Sequence, residues 1–207
     1  MGGAVAATGW HRGVAPTARC PDRASPPARD ADHPQSLEPT VCRLSQKRVW
    51  AGDLTFVPTR TGWRTVAVLL DLYSRRVVGW AMSPRQTLSV VVEAWWMAWH
   101  RRRPIPELIH HSDQGNPYRA SLYQTVLARR GVGVSMSRKG NCYDNAPGES
   151  FLSSLKNELV RHRQIHNHTE AQVAIEDDID QFYNRQRLPQ ALGYRSPEEF
   201  ERQESGA

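Results

Sequence analysis

The sequence predicts an α/β domain with a mixed five-stranded sheet flanked by helices, preceded by a disordered or irregular N-terminal segment. Three apolar stretches joined by short turns come first, and the order helix, strand, helix, strand follows them. A chain of 207 residues with 39% hydrophobic content can bury one sizeable core but not two large ones. We therefore expect one domain over 46–160, a helical tail of the same core over 161–207, and an irregular segment over 1–45.

Residues 1–45 differ in composition from the rest of the chain. They are rich in Ala, Gly, Pro and Arg, and their apolar residues show neither helical nor strand periodicity. The chain begins without an apolar run of signal-peptide length, and it nowhere contains the ~18 apolar residues that a membrane helix needs. We expect neither a secretion signal nor a membrane span.

The first three strands are predicted over 48–57, 64–74 and 75–83. The stretch RVWAGDLTFV tends to alternate, TRTG supplies a turn, and RTVAVLLDLYS and RRVVGWAMS are again apolar. Because short turns join antiparallel neighbours, we expect these strands to form an antiparallel meander.

A helical period begins at Thr87. Apolar residues recur at three- and four-residue spacing up to Trp99, Thr87 or Ser89 can cap the start, and Pro104 follows the end. The tryptophans on this stripe are expected to pack in the core, which is the commoner use of such a residue.

A short buried strand over 107–112, a helix over 118–130 and a last strand over 131–137 follow in the sequence. Strands connected through helices are parallel neighbours, so the sheet becomes mixed and carries helices on its faces. Beyond it, the polar and turn-forming stretch 136–147 is expected to be a mobile loop.

Two longer helices and a short one are expected after that loop. The first covers 149–160, with Pro147 near its first turn, and the second covers 169–187, starting at Thr169. The short helix begins at Ser196.

The charge balance favours a polyanionic partner. Lysine and arginine number 27 against 21 aspartates and glutamates, for a formal charge of +6. An ordinary soluble domain with a solvated basic face would have the same composition. The three cysteines form no CxxC pair, which argues against a disulfide framework and a cysteine zinc site and fits a reducing cytoplasm.

Three acidic residues are candidates for a functional role because of their positions in the predicted elements. Asp53 lies inside an otherwise apolar strand, where an unpaired carboxylate is costly to bury. Asp113 follows a short strand, at the end where α/β sheets collect ligands, and Glu149 lies in a first helical turn. Each of them alone could be a helix cap or a surface charge.

Taken together, the surrounding motifs resemble a known family. The strings WAGDLTFV, HHSDQGNPY and GNCYDNAPGESFLSSLKNELV resemble, in this order, the three motifs of the integrase-like (DDE, rve) catalytic core in insertion-sequence transposases of the OrfB type. From Asp113 to Glu149 is 36 positions, which is the family's separation. The resemblance covers residues 48 to about 203, including FYNRQRLPQALGYRSPEEF.

The resemblance implies a ribonuclease-H-like fold and a metal-dependent polynucleotidyl transferase that cleaves and joins DNA in transposition. Asp53 would bridge two Mg²⁺ ions, with Mn²⁺ as an alternative, while Asp113 holds one ion and Glu149 the other. Water and then a DNA 3′-hydroxyl would attack the phosphorus, because two ions can neutralise both the attacking and the leaving oxygen.

The same resemblance implies particular partners. They are the DNA of the element ends and the target, further copies of the chain in a homo-oligomer, and a helix-turn-helix protein encoded in an upstream frame. The setting would be the bacterial cytoplasm, at the nucleoid.

Four further residues are candidates for contacts with DNA. Lys156 stands seven positions after Glu149, almost two helical turns, so both project from one face, and the family places a DNA-contacting basic residue there. Without the motif, Lys156 would be taken for a solvated lysine. Arg138, Lys139 and Asn145 lie in the polar loop, where such side chains can follow a phosphate backbone.

The chain departs from the family pattern in three places. Pro147 and Gly148 stand where relatives carry small aliphatic residues, Pro189 replaces a frequent histidine, and residues 1–45 lack a helix-turn-helix pattern. Two alternatives therefore stay open. The chain could be a truncated, non-catalytic DNA-binding or oligomerising derivative of a transposase, or a general nuclease of the same fold that cleaves without joining.

Overall fold

The sheet has five strands in the spatial order β3-β2-β1-β4-β5. A computed structural model describes residues 49–137, 146–160 and 164–205 of the chain. The strands are Val49–Thr59 (β1), Gly62–Asp71 (β2), Val77–Ser83 (β3), Ile109–Ser112 (β4) and Gly133–Met136 (β5). Strands β1, β2 and β3 pair antiparallel, whereas β4 lies parallel to β1 and β5 parallel to β4. The predicted mixed sheet is confirmed.

Strands β1 and β2 form a long hairpin. Their pairing runs from Trp50 opposite Asp71 to Thr59 opposite Gly62, and Gly62 has a φ of 115°, which a residue with a side chain rarely adopts. The turn predicted over TRTG is therefore present, and it fixes the register that decides which β1 side chains face each side of the sheet.

Six α-helices complete the described part of the chain. They are Leu88–Arg102 (α1), Asn116–Arg119 (α2), Ser121–Ala128 (α3), Ala146–Leu155 (α4), His168–Glu176 (α5) and Pro197–Ser205 (α6). Helix α4 continues as a π-helix over Lys156–Val160, and α5 does the same over Asp177–Tyr183. No described helix is long and apolar enough to cross a membrane.

The helix predicted over 118–130 is divided at Ala120. Ala120 has an extended backbone, with φ −58° and ψ 129°, between the single turn of α2 and the start of α3. Tyr118 and Tyr123 are both buried, but five positions apart on one continuous helix they would point to different faces. The break allows both rings to enter the core.

The long C-terminal helix begins at His168, one residue before the predicted start at Thr169. Asn167, and not Thr169, is the cap, because its side-chain oxygen accepts a hydrogen bond of 2.9 Å from the N–H of Glu170. At the far end, Asn184 accepts from the N–H of Val77 at 2.9 Å and donates to the carbonyl of Val77 at 3.1 Å. The helix is thereby tied to the first residue of β3.

Each face of the sheet carries its own core. On one face, α4 and α5 pack against the odd-numbered β1 side chains Val49, Ala51 and Val57. On the other, α1, α2 and α3 pack against Trp50 and its neighbours. Trp50, Trp80 and Trp95 are buried, as expected of tryptophans on apolar faces.

Helix α6 is joined to α1 and to the sheet through charged groups. Arg102, at the end of α1, binds Glu201 of α6 and lies 3.6 Å from the buried Asp71 of β2. Arg76 also contacts Glu201, at 3.1 Å. Burial works to raise the pKa of Glu201, but the hydrogen bonds and charge of Arg102 hold it below its usual value. These ion pairs tie α6 to the end of α1 and to the sheet.

Candidate active site

Asp53 and Asp113 come from neighbouring parallel strands. The pairing of β1 with β4 ends at Gly52 opposite Ser112, so Asp53 and Asp113 are the next residues of each chain segment. Strand β1 itself continues to Thr59, but its parallel pairing with β4 stops here, so both carboxylates lie at the carboxyl-terminal edge of the parallel part of the sheet. Asp53 is half-buried and Asp113 is exposed.

The carboxylate of Asp53 is strongly affected by its surroundings. Burial raises its pKa to about 6, although the N–H of Leu54, 2.7 Å away, lowers it. The charges of Asp113 and Glu149 contribute to this rise and that of Lys156 opposes it, the value of about 6 being the net result of all these causes. Negative charge is therefore in excess around Asp53, which favours a proton or a cation there.

Asp113 is fixed by a turn that needs the following glycine. The N–H of Gly115 donates to Oδ1 of Asp113 at 3.0 Å, and the hydroxyl of Ser112 donates to its carbonyl at 3.1 Å. A Cβ at position 115 would lie 2.9 Å from Oδ1. Glycine thus allows the backbone to come close to the carboxylate.

Helix α4 supplies the third acid, and the π-helix that continues it supplies the lysine. Phe151, Leu152 and Leu155 of this helix pack on the face of the sheet to which Asp53 belongs. Glu149 and Lys156 are both exposed, and the charges of both act on Asp53, which fits the prediction that they share one side of the helix. Pro147 and Gly148 lie in the first turn and do not prevent it from forming.

The described residues contain no ready-made metal cluster. No three His, Cys, Asp or Glu side chains among them are arranged to hold a metal ion together. Asp53 and Asp113 lie at one edge of the sheet. The charge of Glu149 raises the pKa of Asp53, but the three carboxylates are not arranged as a metal-binding cluster. Arg138, Lys139 and Asn145 lie outside the described residues. The chemistry of the acids still fits Mg²⁺, which prefers hard oxygen ligands and few carboxylates.

A buried polar layer packed against Gly52, the residue before Asp53, was missed in the sequence. A Cβ on Gly52 would lie 2.7 Å from Cε1 of His110 and 3.2 Å from Cε1 of Tyr118. Burial lowers the pKa of His110 to about 3, and its Nε2 lies 3.1 Å from the hydroxyl of Tyr123. Two signals could have revealed this layer, namely a glycine inside a strand and histidines inside a buried one.

Comparison with protein families gives two matches. One model described as an integrase core domain matches residues 44–142, and a second with the same description matches residues 130–197. The chain belongs to the integrase core family.

The curated relatives are proteins of insertion sequences. The chain is 44% identical over 167 residues to the insertion element IS600 uncharacterized 31 kDa protein of Shigella sonnei, covering 81% of this chain and 61% of that protein. It is 42% identical over 158 residues to the transposase of IS904 from Lactococcus lactis, covering 76% and 62%. Within the family, the chain groups with insertion-sequence transposases, as the motifs predicted, and it spans about three fifths of the length of these relatives.

Several solved viral integrase structures share the fold. A chain of the simian T-cell lymphotropic virus intasome has a TM-score of 0.62 at 15% identity, covering 74% of this chain and 54% of that one. The BIV integrase catalytic core gives 0.56 at 18% identity, with 77% and 98% covered. The HTLV-2 integrase core solved with magnesium, in its dimeric form, gives 0.54 at 13% identity, with 76% and 97% covered. The predicted fold class is confirmed.

Proposed function

We propose that this chain is a polynucleotidyl transferase that cleaves DNA strands and transfers them in transposition, with Mg²⁺ as its cofactor. The observation that carries the proposal is the position of Asp53. This half-buried carboxylate has a pKa raised to about 6, and Asp113 follows the neighbouring parallel strand at the same edge. Perturbed carboxylates at such edges are characteristic of functional sites.

Asp53, Asp113 and Glu149 are the proposed ligands of Mg²⁺, with Mn²⁺ as a substitute. A bound ion would neutralise charge on the attacking and leaving oxygens of a phosphodiester. The proposal is supported by the excess of negative charge around Asp53 and by the HTLV-2 integrase core of the same fold, which was solved with magnesium.

The chain's own groups would prepare the site. The N–H of Leu54 orients the Asp53 carboxylate, and the N–H of Gly115 orients that of Asp113. Lys156, exposed at the start of the π-helix that continues α4, would bind a DNA phosphate, and its charge lowers the pKa of Asp53.

The proposed partners are DNA and further copies of the chain. A formal charge of +6 favours attraction to DNA, and Arg138, Lys139 and Asn145 are proposed as additional contacts. Oligomers are proposed because the HTLV-2 integrase core was solved in dimeric and trimeric forms. End recognition would come from a helix-turn-helix protein encoded upstream, and the site of action would be the bacterial nucleoid.

The test is a strand-transfer assay with labelled DNA that carries the element's ends. The proposal predicts Mg²⁺-dependent nicking followed by joining, both abolished by Asp113→Asn while the variant stays folded. Near-native activity of Asp113→Asn would contradict the proposed ligands. Cleavage without joining would indicate a general nuclease, and DNA binding without cleavage would indicate a non-catalytic derivative.

A further inference from the structure

Ser137 contacts the residues on both sides of Asp113. Its N–H donates to the carbonyl of Ser112 at 2.9 Å, and its carbonyl accepts from the side-chain amide of Gln114 at 3.1 Å. Its hydroxyl lies 3.0 Å from Nε2 of His111. Three hydrogen bonds from one residue thus bracket the proposed ligand without touching its carboxylate.

His111 anchors this arrangement in the interior. Its ring is completely buried, and its other nitrogen, Nδ1, lies 3.1 Å from the hydroxyl of Ser135. A hydroxyl can donate or accept, so both ring nitrogens of a neutral imidazole are satisfied in either tautomer. Because Ser135 and Ser137 are also buried, water does not compete for these bonds.

The strand register explains why these residues meet. Ala51, His111 and Ser135 form one row across β1, β4 and β5. Asp53, Asp113 and Ser137 each lie two residues further along the same three segments. The hydrogen bond between His111 and Ser137 therefore connects the row that carries the two acids to the preceding row of paired strand residues.

We propose that Ser137 and His111 are positioning residues for Asp113. The bond to His111 fixes Ser137, whose N–H and carbonyl hold the carbonyl of Ser112 and the side-chain amide of Gln114, so that the Asp113 carboxylate is presented to the ion in one orientation. This inference rests on the proposed function, because it assumes that Asp113 is a ligand. Groups that orient metal ligands commonly account for roughly 10- to 100-fold in metal affinity or activity.

The test compares two serine-to-alanine variants that differ only in which nitrogen of His111 loses its partner. Ser137→Ala should lower Mg²⁺ affinity, measured by calorimetry at pH 8, by about tenfold. Ser135→Ala is the matched control and should leave the affinity close to that of the parent chain, although both variants lose one buried hydrogen bond and comparable thermal stability.

Hydrogen exchange provides a readout that does not need an ion. Ser137→Ala, but not Ser135→Ala, should speed exchange of the Gly115 amide, which donates to Asp113. Equal effects of both variants, or unchanged Mg²⁺ affinity and exchange in Ser137→Ala, would show that the two bonds only stabilise the fold. Failure of the proposed function is distinguishable, because the parent chain would then bind no Mg²⁺ while the exchange comparison could still be made.

Discussion

Gly52 lies so close to His110 that a Cβ at position 52 would come within 2.7 Å of the imidazole carbon Cε1. Because position 52 has no Cβ, the imidazole of His110 can pack directly against the strand that carries Asp53. His110 in turn meets the hydroxyl of Tyr123. This contact lies within the core that Trp50 and Trp95 form on one face of the sheet.

Gly52→Ala should therefore destabilise the fold. The added methyl group must displace His110 and Tyr118, and such overpacking costs roughly 1–3 kcal/mol in the free energy of unfolding. Urea unfolding followed by circular dichroism would measure it. Gly133→Ala is the control, because a Cβ there meets nothing closer than 3.6 Å. Equal stabilities of the Gly52→Ala and parent proteins would mean that the layer is not tightly packed.

Asp53→Asn should stabilise the chain in the absence of metal at pH 8. The pKa of Asp53 is raised to about 6 from a reference of 3.8, so the folded state binds the proton more tightly than the unfolded state. The contribution of this group to stability is therefore greatest at low pH and declines as pH rises from about 4 to 6. The melting temperature of the variant should exceed that of the parent at pH 8, and the gap should shrink towards pH 5. A difference in melting temperature that grows on acidification would show that the pKa of Asp53 is not raised.

Affinity for Mg²⁺ should decrease on the acid side of pH 6. A proton on Asp53 competes with the ion, so the apparent association constant should fall as that carboxylate is protonated below its pKa of about 6. Calorimetric titrations between pH 5 and 8 at constant ionic strength would follow this. An affinity that stays constant across that range would indicate that Asp53 is not a ligand.

Glu201→Gln should loosen the C-terminal helix. The carboxylate is largely buried and binds Arg102 and Arg76, and its removal leaves these guanidinium groups without their main partner. We expect a loss of about 2 kcal/mol in the free energy of unfolding. Glu204→Gln is a matched control on the same helix, since Glu204 is exposed and accepts only from the hydroxyl of Tyr73 among the contacts described. Equal losses in the two variants would argue against a special role for Glu201.

The salt bridge of Glu201 also predicts how the stability of the fold changes with pH. The pKa of Glu201 is held below its usual value, so its contribution is present above the pKa of the unfolded chain and is lost as pH falls through that of the folded one. The difference in the free energy of unfolding between the Glu201→Gln and parent proteins should therefore shrink in acid.

The strands and most helices could be predicted because their signals are local. Alternation in RVWAGDLTFV, the turn TRTG and the apolar stripe before Trp99 each specify one element within a short window. The division at Ala120 could not be predicted in that way. It depends on the need to bury Tyr118 and Tyr123 together, which is a property of the tertiary packing.

The residues of the site also divide into those with a local sequence signal and those that depend on tertiary packing. Asp53 and Asp113 are conspicuous in the sequence, because one interrupts an apolar strand and the other follows one. Ser137 is conspicuous only once the parallel register is known, since its three partners lie on β4 or just beyond its end, more than twenty positions earlier. Long-range pairing of this kind leaves no spacing rule in the sequence.

The central claim is that three carboxylates hold the ion, and the most direct test is Mg²⁺ binding by calorimetry at pH 8. The parent chain and Glu204→Gln should bind alike, whereas Asp53→Asn, Asp113→Asn and Glu149→Gln should each lose most of the affinity while remaining folded. Parent-like affinity in Asp53→Asn, Asp113→Asn or Glu149→Gln would contradict the account.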